Sequence, residues 1–157
     1  LRIHIATDHA GMELSSYLIS ELNVLGHELI DHGPKEYDPL DDYPGFCIAA
    51  AQGVAKDQRE GVEALGIVLG GSGNGEQMAA NKVSGIRAAL VWNDSTARLA
   101  REHNDANVVA LGARQHSKEE VLELVKIFID EPFSHDERHV RRIGKMTHFE
   151  ATGEVLY

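Results

Sequence analysis

Short apolar runs and longer stretches of helical periodicity alternate along the chain. Ile3 to Ala6, Glu28 to Ile30, Leu65 to Leu69, Ile86 to Val91 and Val108 to Leu111 are rich in aliphatic and β-branched residues and have the length of buried strands. Between them, Met12 to Val24, Pro44 to Lys56, Gln77 to Lys82 and Ser95 to His103 repeat apolar side chains at the spacing that gathers them on one helical face. Ser117, with Glu120 in capping-box register, opens another helix across the apolar run Val121 to Ile129. A last, polar helix is predicted over His135 to Glu150. Such regular alternation predicts a parallel sheet with right-handed crossovers and helices on both faces, a doubly wound α/β domain.

The chain has 157 residues, 43% of them hydrophobic, which suits one domain over residues 1–157 with enough apolar side chains for a core. The formal net charge of -10 argues against broad binding to nucleic acid or anionic membranes, both of which repel acidic proteins. It leaves room for a small anionic substrate held by a few local arginines. Cys47 is the single cysteine, so neither an intrachain disulfide nor a cysteine zinc cluster can form, and a reducing compartment is expected. The stretch "LRIHIATDHAG" reads as a strand rather than a targeting leader, and no apolar run has membrane-spanning length. The expectation is a soluble, cytoplasmic protein. One loop, Asp31 to Pro44, is long for this architecture and dense in acids and turn formers; it reads either as functional or as a solvated connection.

The densest chemical signal is "LGGSGNGEQ", where Gly70, Gly71, Gly73 and Gly75 separate the third strand from the next helix. Backbone N–H groups can converge on an anion there. The nucleotide P-loop is excluded, because Glu76 and Gln77 follow the last glycine where Lys and Ser or Thr are required. The dinucleotide fingerprint fails as well: its third glycine position holds Glu76 or Met78, and the loop does not follow the first strand. A nest of donors beside one carboxylate remains. Glu76 alone could be a helix-dipole partner, but clustered glycines cost backbone entropy and imply close approach by a ligand. A general base beside an oxyanion hole fits better, an arrangement suited to removing a proton next to a carbonyl.

Other constellations are weaker singly. Asp8 and His9 follow the first strand, where they would face the same crevice as the glycine loop; the plain alternative is that Asp8 caps the helix starting near Gly11 and His9 lies on the surface. Arg138, Arg141 and Arg142 share a helical face with His139 on its edge, forming the densest cation cluster of an acidic chain and suited to a phosphate monoester. A solvated charge run is the alternative, but that helix has few apolar residues to hold it against its own domain, which points to docking on a partner subunit. His103 and Asn104 end a helix, where Asn is a common cap. Arg114 follows the fifth strand. Cys47 reads as a buried thiol, and no histidine shows metal-ligand spacing with acids or the cysteine, so no metal is expected.

Taken in order, "ATDHAG", "DDYP", "GGSGNGEQMAANKV", "REHNDANV" and "RHVRR" resemble the ribose-5-phosphate isomerase type B family, which also includes galactose-6-phosphate and allose-phosphate isomerases. The resemblance covers nearly the whole chain. It implies a Rossmann-like fold, a five-stranded parallel sheet in a three-layer α/β/α arrangement, and a homodimer with active sites shared between subunits. It also implies aldose–ketose isomerisation of a sugar phosphate without metal or other cofactor. One branch of the family carries a catalytic cysteine where this chain has Gly70; this chain resembles the actinobacterial-type branch, in which the residue matching Glu76 is the base. By the same resemblance, amides from Gly71 through Gly73 and Asn74 to Gly75 hold the enediolate, and Ser72 helps to position the substrate. Asp8, His9 and Tyr43 contact the sugar, while Arg114, Arg138 and Arg142 are the phosphate ligands, some reaching across the dimer. His139 is the residue matched to ring opening, with Asn104 nearby, and His103 is the second candidate; a histidine suits that task because it titrates near neutrality.

The leading expectation is interconversion of ribose 5-phosphate and ribulose 5-phosphate. The alternatives are an isomerase of another sugar phosphate (a tetrulose, allose or galactose phosphate) and a noncatalytic sugar-phosphate-binding subunit, for which the intact glycine loop with Glu76 would have little use.

Overall fold

The computed structural model describes residues 1–157. Five strands, β1 (Arg2–Thr7), β2 (Glu28–Asp31), β3 (Ala64–Gly70), β4 (Ala88–Leu90) and β5 (Val108–Gly112), form one sheet in the order β2-β1-β3-β5-β4. Every pairing is parallel. Every predicted strand is present, but β4 is shorter than the predicted Ile86 to Val91. The cause is local. On the sheet's outer edge Asn81 Oδ1 accepts from the Ala88 amide at 2.8 Å and its Nδ2 donates to the Ala88 carbonyl at 2.9 Å, while Asn107 Oδ1 accepts from the Arg87 amide at 2.8 Å. The Asn107 side chain thus takes the Arg87 amide in place of a strand partner, while Asn81 covers the open edge of β4.

Six helices, α1 (Met12–Val24), α2 (Tyr43–Arg59), α3 (Asn74–Ala80), α4 (Asp94–Glu102), α5 (Lys118–Asp130) and α6 (Glu137–Thr152), complete the chain. Strand alternation divides the core in two. Leu65, Ile67 and Leu69 of β3 pack with Leu18 of α1, Ala97 of α4 and Val125 of α5, whereas Val68 and Ala110 pack with Val54 of α2 and Ala80 of α3. The result is the expected three-layer α/β/α fold. Asp8 caps not α1 itself but a short 3-10 turn, His9–Gly11, that leads into it, its side chain accepting from the Ala10 amide at 2.9 Å. Helix α3 starts at Asn74 rather than Gln77, because Gly73, with φ of 86°, turns the chain out of β3 in a left-handed conformation. That early start puts Glu76 in the first turn.

Two further elements differ from the pattern-based reading. Ser117 caps α5 by accepting from the Glu120 amide at 3.2 Å, but Glu120 lies 3.4 Å from His116 instead of reaching back, so the box is half formed. Helix α6 begins at Glu137 because His135 has φ of 55° and Asp136 is the N-cap, accepting from the Arg138 amide at 3.0 Å. Only His139 of α6 is buried.

The loop from 31 to 44 is stitched to β1. The His32 amide donates to the Ile5 carbonyl at 2.8 Å, and the Thr7 amide donates to the Gly33 carbonyl at 3.0 Å. The His32 ring bonds the buried His4 ring at 2.8 Å, and His4 in turn bonds Asp57 of α2 at 2.8 Å. A side chain on Gly53 would collide with the His4 ring, so α2 approaches β1 closely there. The loop is thus held along β1 towards its carboxyl end, where it delivers Asp41 and Tyr43.

Candidate active site

In an open parallel sheet, ligands bind beyond the carboxyl ends of the strands, where neighbouring strands send their connections to opposite faces. Here that place lies between β1 and β3: β1 leads into α1 on one face, and β3 leads into α3 on the other. Two segments face the crevice, Asp8–His9 after β1 and Gly70–Glu76 after β3. A third joins them from β5. The Ala113 amide donates to the Gly70 carbonyl at 2.7 Å and the Arg114 amide to the Gly71 carbonyl at 3.1 Å, and the Arg114 guanidinium lies where a side chain on Gly71 would meet it at 3.2 Å.

The glycines of the loop are explained by what crowds them. A Cβ on Gly75 would run into the Tyr43 ring, and one on Gly73 would approach the Leu111 backbone at 3.0 Å. A Cβ on Gly70 would overlap the carboxylate of Glu76 itself. Glu76 is 4% exposed, and its pKa is raised, first by burial and further by the charge of Asp8, while backbone amides of Glu76 and Gly73 act in the opposite direction. Ser72 is exposed and its Oγ accepts from the Asn74 amide at 3.2 Å. The arrangement holds a buried carboxylate of raised proton affinity next to a loop of backbone donors, with the Arg114 guanidinium beside the loop.

His9 is held from below. Its Nδ1 lies 2.7 Å from Oδ1 of Asp41 and its backbone amide donates to the same oxygen at 3.2 Å. The Asp41 side chain is 9% exposed, and its Oδ2 is buried without a protein partner. Nothing in the local pattern of "DDYP" gives Asp41 a role, because its partner is 32 positions away. The donor atoms of Asp8, His9 and Asp41 lie within 4.8 Å of one another, a grouping that local spacing did not reveal. His9 Nδ1 and Asp41 Oδ1 are, however, engaged with each other.

The remaining candidates are elsewhere. Helix α4 starts beyond the carboxyl end of β4 and runs its nine residues, about 13 Å at the helical rise, to the opposite end of the sheet, where His103 and Asn104 lie. His139 packs on His103 there, with ring centroids 4.2 Å apart and planes at 31°. The His139 pKa is lowered by desolvation, then by the neighbouring His103 and Arg138. Arg138 and Arg142 are exposed on the same helix, Arg138 Nε being 3.6 Å from Asp136. One chain therefore gathers Asp8, His9, Tyr43, Ser72, Glu76 and Arg114 at one end of the sheet and His103, Asn104, Arg138, His139 and Arg142 at the other. The largest cavity, about 770 Å³, is not at Glu76 but along the β4 edge, between Gln77, Leu90 and Trp92 at one end and Asn104 and Met146 at the other.

A carboxylate buried beside a glycine loop at the switch point of a doubly wound sheet is the candidate active site of this α/β domain. The chain belongs to the Ribose/Galactose Isomerase family, which it matches over residues 3–146. It is 50% identical over 155 residues to the ribose-5-phosphate isomerase B of Mycobacterium tuberculosis strain H37Rv, covering 99% of this chain and 93% of that one. Among solved structures, the ribose-5-phosphate isomerase B of Clostridium thermocellum superposes with a TM-score of 0.89 at 37% identity, over 98% of this chain and all of the other. The enzyme from Mycoplasma genitalium, solved with bound ribulose-5-phosphate, superposes equally well at 38% identity, over 96% and 97% of the two chains. The protein is an isomerase with a Rossmann-like fold. No helix is long and apolar enough to cross a membrane.

Proposed function

We propose that the protein interconverts ribose 5-phosphate and ribulose 5-phosphate through an enediolate, with Glu76 as the base. The observation that carries this reading is the buried Glu76 carboxylate in the space above Gly70, bordered by the amides of Gly71 to Gly75. In the open-chain aldose, Glu76 takes the proton from C2; the electron pair forms the C1–C2 double bond and the aldehyde oxygen becomes an oxyanion held by the loop amides. Glu76 then returns the proton to C1, while the O2 proton passes to O1 through solvent, leaving the ketone at C2. Raised proton affinity suits the exchange, since the same carboxyl must accept and give back a proton. Asp8, His9 and Tyr43 orient the sugar, and Ser72 and Asn74 shape the loop around it.

Cyclic ribose 5-phosphate must open first. His139 takes the anomeric O1 proton as the carbonyl forms, the C1–O4 bond breaks with its electron pair going to O4, and the imidazolium hands that proton on to O4, which returns the ring to its starting state. His139 suits this better than His103, whose side chain is 38% exposed beside Glu102, because its ring is buried and that burial lowers its pKa.

His139 and the α6 arginines lie at the far end of the sheet from Glu76, so one chain does not complete this site. A second copy related by a two-fold axis brings the amino-end cluster of one protomer over the carboxyl-end crevice of the other and makes two equal sites. The surface is prepared for it: Trp92, Met146 and Phe149 are about half exposed beside the groove along β4. Arg138 and Arg142 of the partner then share the phosphate with Arg114. A location in the cytoplasm accords with the free, buried Cys47.

The test is turnover of a panel of aldose and ketose phosphates by wild type and Glu76→Gln. Ribose 5-phosphate should be the best aldose, and E76Q should lose about a hundred- to ten-thousand-fold in kcat while retaining substrate affinity within a few-fold. Preference for a tetrose or hexose phosphate would move the assignment within the family. Equal loss of affinity and kcat in E76Q would make Glu76 structural.

A further inference from the structure

His4 and His32 take no part in the chemistry above, yet they fasten to the body of the domain the loop that carries Asp41 and Tyr43. Ile30 stands opposite His4 in the β1–β2 register, so His32, two residues further on, projects on the same face of the sheet, towards α2. Nδ1 of His4 lies 2.8 Å from Nε2 of His32, and Nε2 of His4 lies 2.8 Å from Oδ2 of Asp57, whose Oδ1 accepts from Arg2 at 3.1 Å. His4 and Asp57 are buried, and His32 is half-buried. Beyond this anchor, residues 34–40 hydrogen-bond only among themselves and with Asp41, and the far end of the loop is fixed by Asp41 on His9 and by Tyr43 against Gly75. The loop is a span held at two ends.

The number of protons on the two rings decides whether the near end holds. Asp57 is ionised, its pKa lowered by the bond from His4 and by Arg2, and a carboxylate only accepts, so Nε2 of His4 carries a hydrogen. Nδ1 of His4 and Nε2 of His32 then have room for one hydrogen between them. With both rings neutral, His32 donates it; with one ring charged, the charged ring donates. With both charged, two N–H groups face each other across 2.8 Å and the bond becomes a repulsion. The other charged groups facing the pair are Asp57 of α2, Arg2 of β1, and Glu28 and Asp31 of β2. Asp57, already paired with Arg2, does not offset a charge on both rings. Burial, and then the neighbouring His4, lowers the His32 pKa, with Asp31 acting in the opposite direction. The seated loop therefore binds fewer protons than a released one, and seating weakens as pH falls below the ordinary histidine range.

We infer that His32 is a positioning residue for substrate binding and forms with His4 an acid-sensitive latch: while at least one ring is neutral, the bond seats the loop with its Asp41 and Tyr43, and when both are charged the near end is released. Neither ring touches substrate. The inference rests on the isomerase reading above, which assigns the far end of the loop to sugar binding.

The latch and the base are separated by the constant that each one moves. Ionisation of Glu76, of His9 and of the substrate's phosphate affects wild type and His32 variants alike, so the ratio of their KM values isolates the pair. Gln reaches as far as Nε2 of a histidine ring, and its amide donates to Nδ1 of His4 without titrating. Between about pH 8 and about pH 5, the wild-type KM for ribose 5-phosphate should rise by at least about three-fold relative to that of His32→Gln, with the kcat profiles parallel. His32→Ala, which has no bond to lose, should show the raised KM already at neutral pH. Parallel KM profiles in wild type and H32Q, or an unchanged KM in H32A, would overturn the assignment. The Thr7 amide, which donates to the Gly33 carbonyl at 3.0 Å, reports the near end directly. Its hydrogen exchange, compared at one acidic pH, should be faster in wild type than in H32Q, and equal rates would also sink the latch. If wild type turned over neither ribose 5-phosphate nor ribulose 5-phosphate at any pH, the isomerase reading would fall, and exchange at Thr7 would still decide whether the pair holds the loop.

Discussion

The carboxylate of Glu76 fills the space into which a side chain on Gly70 would project. Residue 70 ends β3 with its side-chain direction towards the α2 and α3 layer, and Glu76 folds back from the first turn of α3 into that gap. The two positions are mutually exclusive for side-chain atoms. A chain that places its base on the helix must leave the strand end bare.

Gly70→Ala therefore expels the carboxylate without straining the backbone, since Gly70 is not among the residues with positive φ. We expect activity to fall about a hundred-fold from misplacement of the base and stability to fall by about 1–3 kcal/mol from overpacking. The double variant Gly70→Ala/Glu76→Ala should recover much of that stability. Urea unfolding of the four members of the cycle checks it, and additive losses would show that the two side chains do not compete.

The raised pKa of Glu76 has a stability consequence with a definite sign. The folded state holds the Glu76 proton more readily than the unfolded chain, so stability falls as pH rises from the usual glutamate range through the folded pKa, and the penalty is complete above it. Glu76→Gln should accordingly raise Tm at neutral pH while abolishing turnover, and the gain should disappear in acid. In wild type, kcat/KM should rise with pH through the same elevated value as the base ionises. A Tm for E76Q equal to or below wild type at neutral pH would contradict the burial penalty.

Asp41 acts on the site through His9, accepting from both its ring and its amide. Asp41→Asn keeps an oxygen for the amide but removes the carboxylate that holds the His9 ring. Loss of one charge-assisted bond at a buried position predicts about a ten-fold or greater rise in KM, with a smaller change in kcat. Calorimetric binding of inorganic phosphate, compared between D41N and His9→Asn, measures whether the two act as one unit.

Separation of the two clusters predicts complementation between dead subunits. A mixed dimer of Glu76→Gln and His139→Asn chains has one site with both groups intact and one with neither. After unfolding and co-refolding at equal amounts, about a quarter of wild-type activity should return from two inactive proteins, the share set by random pairing in a two-fold dimer. Refolding of either variant alone should give none. No recovery in the mixture would mean that a single chain completes its own site.

Much of this was legible without coordinates. Apolar spacing located the five strands and the first five helices, because that spacing is imposed by the faces that each element buries, while the sixth is legible as a polar helix. The boundaries that moved did so for reasons outside the hydrophobic pattern: Asn107 took the Arg87 amide ahead of β4, Gly73 advanced α3, and His135 delayed α6. Glu76 and its glycines stood out because chemistry and backbone freedom were concentrated in one contiguous loop.

What only the tertiary structure decided are relationships between residues distant in sequence. The seat of Glu76 over Gly70 depends on the direction in which α3 leaves the sheet. The bond from His9 to Asp41 depends on a loop stitched along β1, and the stacking of His139 on His103 depends on where α5 returns the chain. The division of the candidate residues between the two ends of the sheet follows from strand order and helix direction, which no local pattern encodes. The sequence by itself determined the elements and singled out Glu76 as the candidate base, because those readings rest on neighbours along the chain. The folded chain decided which groups share a site, since that is a matter of packing in three dimensions.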